Sequence, residues 1–433
     1  VFSPGRYIVV DDQVDELRIL VEALHDIGAP CLGVRYTGKP LDPAAFAGVR
    51  VLFSDLNLLS GGNPKQQFGA IEAMLRQNID PSVSGPYILV LWTSLQPQID
   101  GLRAYLQERL DPQKRPLAVL GLDKSLYIVN GKLEKPKDLA DAITDRISAS
   151  PQIRALIAWE GEVLAAAGAT LAEVTELVPV QERDVAGFSE KLDGVLSCLA
   201  VAAAGAPNVE TDRRAAINAA LAPVLADRIA NTRKGAGRAE VWDQAITRHK
   251  DLPELDDEQI GRMNRVLHVA MPNAENLRAK DWGAVLQLPA EALTDDETLR
   301  QFGLPYAELM SQVFCIDRRD RARTPLVAVR IGAICDHAQQ KSGPVPYVLG
   351  VLVPTTVERK KMVQKAEFET PVLVLDPAQG PVRLYINARF QLSMVTPPET
   401  WQLVCRLREQ LLMMIAAHVG EYVTRPGVIK LPI

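Results

Sequence analysis

Cysteine is sparse in this chain and follows no pairing pattern. The five cysteines, Cys31, Cys198, Cys315, Cys335 and Cys405, are scattered, odd in number and free of CxxC spacing. That argues against a disulfide framework and against a structural zinc site. The five histidines form no HExxH or HxH pattern. Long apolar runs are missing too: Leu196–Ala206 and Tyr347–Pro354 are too short to span a bilayer. The opening VFSPGRYIVVDD lacks the charged-then-apolar layout of a secretory signal and runs straight into a strand-like segment. These absences predict a cytoplasmic protein with no membrane partner. Charge of one sign is not in excess: the net charge is -5, which disfavours nucleic acid as the main partner.

What is present is a chain of 433 residues with ordinary apolar content. At roughly 150 residues per domain it holds two to four domains. Residues 6–148 alternate strand-like and helix-like segments. Tyr7–Val10, Cys31–Tyr36, Val49–Phe53, Tyr87–Trp92 and Leu117–Leu122 read as strands. Asp15–Ile27, Gln66–Gln77, Gln98–Leu110 and Lys137–Ser148 read as helices, with a short helix or turn at Pro43–Gly48. Five βα units with strands apolar on both faces predict an α/β fold, a doubly wound five-stranded parallel sheet. The flavodoxin-like strand order 2-1-3-4-5 is the expected one. Residues 149–303 are Ala- and Leu-rich with helical periodicity, as in IRALIAWEGEVLAAAG, and predict a helical middle domain. Its Ala-rich stripes fit either tightly packed helices or a face for a partner. Residues 304–433 predict a small α+β domain: strands at Pro325–Ile334, Val345–Val353, Val372–Leu375 and Val382–Val395, a turn at Asp376–Gly380, and a long helix at Glu399–Val419.

Four polar sites sit at the ends of apolar runs in the first domain. They are Asp11-Asp12 after YIVV, Asp55 after VLFS, Thr93 after YILVLW, and Lys124 after PLAVLGLD. In an open parallel sheet the carboxyl ends of all strands share one rim, so the topology gathers these residues into one pocket. Three neighbouring carboxylates repel one another unless one is protonated or a cation lies among them. Magnesium suits them, as a hard ion that takes oxygen ligands and keeps waters for a phosphoryl group. Asp55 is then a nucleophile forming an aspartyl phosphate, and magnesium with the Lys124 ammonium neutralises the equatorial oxygens. The Thr93 hydroxyl is placed to hydrogen-bond the phosphoryl group.

In order and strand position these residues resemble the receiver domain of two-component response regulators, the chemotaxis-receiver type. The resemblance covers residues 6–148. It implies that Asp11 and Asp12 bind magnesium and that Asp55, in FSDLNL, is the phosphoacceptor. Asn57 would give a backbone carbonyl to the metal, Thr93 in LWTS would be the switch hydroxyl, and Lys124 in LDKS the phosphate-binding lysine. Three positions depart from the pattern. Ser125 replaces the proline after the lysine, Gly121 stands where the aromatic rotamer switch belongs, and Ser94 replaces a small alanine. Phosphoryl acceptance is expected to be intact while the usual output route is altered. The implied partners are a histidine kinase, or another phosphohistidine donor, and a downstream protein. Atypical receivers on long chains also occur in two-component-like bacterial anti-phage systems of the Detocs type, where a receiver protein acts as a phosphate sink. The absence of a recognisable effector here is compatible with that role.

Two other readings stay open. One is an enzyme gated by the receiver, with its active site in the carboxyl-terminal domain around Cys335 and His337 of the sequence Cys335-Asp336-His337. The other is a scaffold whose receiver no longer takes phosphate. The mixed charge runs Asp317–Arg323 and Arg359–Lys365 read as solvated surface. Arg233, Lys234 and Arg238, around Gly235 and Gly237, read as an exposed loop in the wrong context for a nucleotide site.

Overall fold

The computed structural model describes residues 6–425 apart from 27, 40, 59–61, 130–131, 135, 149, 183–186, 232–237, 273–274, 340 and 360–364. Gly235 and Gly237 of the GxG, with Arg233 and Lys234, and Lys360 and Lys361 therefore lie outside the described residues. Two compact units are formed, one of residues 1–166 with 231–249, the other of 167–230 with 250–433.

In the first unit, β1 (Tyr7–Asp11), α1 (Val14–Asp26), β2 (Cys31–Arg35), β3 (Val51–Ser54), α2 (Pro64–Asn78), β4 (Ile88–Trp92), α3 (Ile99–Arg109) and β5 (Ala118–Leu122) follow one another. A small hairpin, β6 (Ile128–Val129) and β7 (Lys132–Leu133), and the helix α4 (Pro136–Ser148) complete the series. The five long strands make one parallel sheet in the order β2-β1-β3-β4-β5, the flavodoxin-like order expected from sequence. Alternate residues of each strand feed opposite cores. Ile8, Val10, Leu52, Leu89 and Leu91 pack with Phe68, Ile71, Leu75, Leu102 and Leu106 of α2 and α3. Val9, Val51, Phe53, Val90 and Trp92 pack with Leu20, Leu24, Leu139 and Ile143 of α1 and α4. Burial on both faces is why β3 and β4 read as unbroken apolar runs. At the start of α2, the Asn63 side chain accepts the Gln66 N–H while the Gln66 side chain accepts the Asn63 N–H. This reciprocal cap is worth about 1 kcal/mol.

The helix α5 (Pro151–Glu176) begins in the first unit and ends in the second. By length and composition it is apolar enough to cross a membrane, with 17% of its most apolar window buried. The expectation that no segment reaches that length is corrected to this extent. Scattered Glu and Arg break the apolar run without lowering its mean hydropathy below that of a span. Its Glu160 is committed to ion pairs with Arg6 and Arg50.

In the second unit, α6 (Phe188–Ala204), α7 (Ala206–Thr211) and α8 (Arg213–Ala230) pack through Ala200, Ala204 and Ala216. There the alanines serve close helix packing. After α9 (Arg238–Ala245), which belongs to the first unit, come α10 (Asp257–His268), β8 (Val269–Ala270), β9 (Ala284–Gln287), α11 (Asp295–Phe302), α12 (Tyr306–Glu308) and β10 (Leu326–Arg330). The chain continues through α13 (Ile334–Ala338), β11 (Val345–Pro354), β12 (Glu367–Glu369), β13 (Val382–Met394), β14 (Gln402–Leu407) and α14 (Glu409–Thr424). The strands form an antiparallel seven-stranded sheet in the order β12-β13-β11-β10-β9-β14-β8.

Three sequence expectations are corrected here. Residues 149–303 are not wholly helical, because β8 and β9 precede residue 304 and belong to the sheet. Both are too short to show a period of two. Glu399–Val419 is not one helix but β14 followed by α14. Cys405 and Leu407, two residues apart on β14, are buried in one core, and the apolar run only then becomes helical. Val372–Leu375 is not a regular strand. It makes one bridge, Leu373 to Val382, closed by the turn at Asp376–Gly380, where the Asp376 side chain accepts the Ala378 N–H.

Candidate functional site

The register of the parallel sheet brings the acidic residues together. Val10 pairs with Ser54, so Asp11 and Asp55 leave neighbouring strands at the same level. Trp92 pairs with Leu122, so Thr93 and the Asp123-Lys124 step leave β4 and β5 together. All four polar sites therefore stand on one rim, at the carboxyl ends of the strands.

Asp11, Asp12 and Asp55 each offer a carboxylate oxygen, and these oxygens lie within 4.8 Å of one another. Asp11 is 1% exposed and Asp55 is 3% exposed. One Asp11 oxygen accepts the Gln13 N–H at 2.8 Å. The other, Oδ2, is buried with no hydrogen-bond partner, as is Asp55 Oδ1. Buried carboxylate oxygens without donors are costly unless a cation meets them. The donor set of three carboxylates therefore fits a hard divalent ion. Burial foremost pushes the Asp11 carboxyl up to about 7, with the charges of Asp55 and Glu16 adding to the rise and the Gln13 N–H and Lys124 opposing it.

Lys124 is the cation of the site. Its Nζ donates to Glu16 Oε2 at 2.5 Å and to Asp55 Oδ2 at 3.0 Å. Burial disfavours the ammonium, but the two carboxylates outweigh that and hold the pKa above the usual lysine value. The turn that presents it, Lys124–Leu126, is capped by Asp123, whose side chain accepts the Ser125 N–H at 3.0 Å and the Ser125 hydroxyl at 2.7 Å. Ser125 thus gives the loop after the lysine a hydrogen-bonded anchor.

Thr93 is fully buried. Its N–H donates to Leu122 O, its hydroxyl oxygen accepts the Leu95 N–H at 3.2 Å, and its carbonyl accepts Gln96 Nε2 at 2.6 Å. Asn57 lies two residues past Asp55, and its side-chain Oδ1 is buried without a hydrogen-bond partner. At Gly121 an added Cβ would fall 2.3 Å from both Gln96 Oε1 and Ile99 Cδ1. These two side chains fill the space beside β5 that an aromatic residue would need.

Two participants were missed by sequence reasoning. Glu16 holds Lys124 together with Asp55, and Gln13 binds Asp11 through its N–H and Asp12 through its side chain at 3.1 Å. The available signal was position: both sit where α1 begins, directly after the acidic pair. No family model, curated protein or solved structure matches this chain.

Proposed function

We propose that residues 6–148 are a receiver domain that accepts a phosphoryl group on Asp55 from a phosphohistidine of a partner kinase. The observation that carries this reading is the pairing of Lys124 with Asp55 at 3.0 Å beside three clustered carboxylates. In the transfer, an Asp55 oxygen attacks phosphorus and the phosphorus–nitrogen bond of the donor breaks. The imidazole leaves with the electron pair, and an acyl phosphate forms. Lys124 is charged and already at Asp55, where a phosphoryl oxygen can take the place of Glu16 as its second partner. Asp11, Asp12 and Asp55 would hold magnesium, with Asn57 beside them. When bound, the ion supplies neutralising charge for an incoming dianion.

The output we assign is phosphate storage or protein contact rather than control of a DNA-binding domain. The packing of Gln96 and Ile99 against Gly121 supports this, because no aromatic switch can occupy that space. A sink in a two-component-like system, such as the anti-phage Detocs type, needs acceptance and hydrolysis but no relayed rotamer change.

The test is intact mass after incubation with magnesium and acetyl phosphate, for the wild type and Asp55→Ala. Gain of one phosphoryl group in the wild type alone supports the reading. No gain from acetyl phosphate or from any phosphohistidine donor, in protein that binds magnesium, overturns it.

A further inference from the structure

The second unit contains a basic cavity that the receiver reading does not use. It has a volume of about 200 Å³ and is lined by Arg278, Lys280, Arg330, His337, Lys341, Tyr347 and one acid, Asp336, among others. Arg330 ends β10 and faces its cross-strand partner Tyr347 on β11. The connection between these strands carries α13, which brings His337 and Lys341 to the same place. Gly332 has a φ of 120°, a conformation natural to glycine, and its carbonyl accepts the Trp282 indole N–H at 3.0 Å.

Two groups in this wall are buried without partners. Arg330 is 9% exposed, and its Nε has no hydrogen-bond acceptor. Tyr347 is fully buried, and its hydroxyl has no partner. The nearby carboxylates are already engaged: Asp281 with Arg278, and Asp336 with Lys341. Among the described residues, no carboxylate forms an ion pair with Arg330 or Lys280. An arginine stays charged when buried, so an unanswered guanidinium is costly without a counter-anion. Burial foremost, then Arg330, lowers the pKa of His337, and Arg278 and Arg406 act the same way while Asp281 opposes them. The field in the cavity is therefore positive.

We infer that this cavity binds the phosphate or diphosphate group of a small molecule, held by Arg330, Lys280 and the Tyr347 hydroxyl. A forked guanidinium, a point-charge ammonium and a phenol match the several acceptor oxygens of a phosphate. The cavity has room for such a group with a few waters. This also gives His337 a setting other than a cysteine–histidine nucleophile. The Cys335 side chain lies outside the described residues.

The experiment is calorimetric titration of the full chain with pyrophosphate in the presence of a chelator, which removes metal-assisted binding at Asp55. Binding at one site per chain is expected, retained in Asp55→Ala and weakened about tenfold or more in Arg330→Gln. The rim variant Lys280→Glu, at an exposed position, should weaken it similarly and guards against misfolding of Arg330→Gln. Absence of pyrophosphate binding to the wild type overturns the inference. So does binding that Lys280→Glu and a folded Arg330→Gln leave unchanged, or tighter binding of citrate than of pyrophosphate.

Discussion

The Lys124 ammonium lies closer to Glu16 than to Asp55: 2.5 Å from Glu16 Oε2 against 3.0 Å from Asp55 Oδ2. An incoming phosphoryl group must therefore compete with Glu16 for the same cation. Replacing Glu16 by glutamine removes one negative charge from the rim and leaves Lys124 free to meet the phosphate. The rate of mass gain with acetyl phosphate should rise by roughly three- to tenfold, the scale of one partly screened charge. A slower or unchanged rate would mean that Glu16 positions Lys124 rather than restraining it.

Asp11 supplies a pH dependence whose sign can be worked out. Its carboxyl is pushed up to about 7 from an ordinary 3.8. Between those values the metal-free folded protein holds a proton that the unfolded chain has lost, so this residue's contribution to stability falls as pH rises. It is fully present below about pH 4 and gone above about pH 7. Asp11→Asn keeps the shape without the charge. In a chelator at pH 8 the variant should be more stable than the wild type, by about 2 kcal/mol. Magnesium should reverse the order, because only the wild type retains the full ligand set. The wild type should also bind magnesium about tenfold more weakly per pH unit below 7. Thermal melts with and without magnesium, across pH 5 to 8, check both. Equal melting curves for the two proteins in chelator would show that Asp11 is ionised throughout.

Much of the first unit was legible because its chemistry is local. Most of its strands are short apolar runs ended by a polar residue, as at Asp11, Asp55 and Thr93, and right-handed crossovers leave little choice of order. Asp11, Asp12, Asp55, Thr93 and Lys124 could be placed on one rim from strand ends alone. Glu16 could not, since its role depends on which face of α1 looks at Lys124. The second unit was less legible because its sheet is assembled from distant pieces. β9 is four residues long, yet it sits between β10 and β14 in the middle of the sheet. It is admitted by Gly283, whose absent Cβ would lie 2.6 Å from Leu407 O. Such a contact, made across 124 residues of chain, has no local signature.

The start of α5 contributes to the first unit's stability. Glu160 accepts two hydrogen bonds from Arg50, at 2.7 and 2.8 Å, and Arg6 reaches the same carboxylate at 3.0 Å. Arg50 also donates to the carbonyls of Val49 and Ser84, so the pair ties α5 to the region around β3. Glu160→Ala leaves a partly buried guanidinium without its carboxylate. The cost should be about 1–3 kcal/mol, read as a lower denaturation midpoint with unchanged slope. Glu160→Gln should recover part of it by accepting one bond. A midpoint that moves by less than measurement error in Glu160→Ala would make the pair a solvated surface contact.

The space beside β5 offers a direct test of the packing around Thr93. A Cβ at residue 121 meets the far ends of Gln96 and Ile99, and the Gln96 amide donates to the Thr93 carbonyl at 2.6 Å. Gly121→Ala must therefore displace Gln96 and Ile99 and strain the Gln96 bond to the Thr93 carbonyl. Overpacking and the strained bond together should cost about 1–2 kcal/mol. In Gln96→Ala only Ile99 still meets the added Cβ, so adding Gly121→Ala to it should cost less than in the wild type. The two substitutions should then couple by about 1 kcal/mol in a double-mutant cycle. Additive effects would mean that Ile99, not Gln96, fills the site. Phosphoryl uptake on Asp55 should survive in all three variants, because none of them touches Lys124 or the carboxylates. If uptake fell in step with loss of the Gln96 bond, the Thr93 carbonyl contact would be part of the acceptor machinery itself.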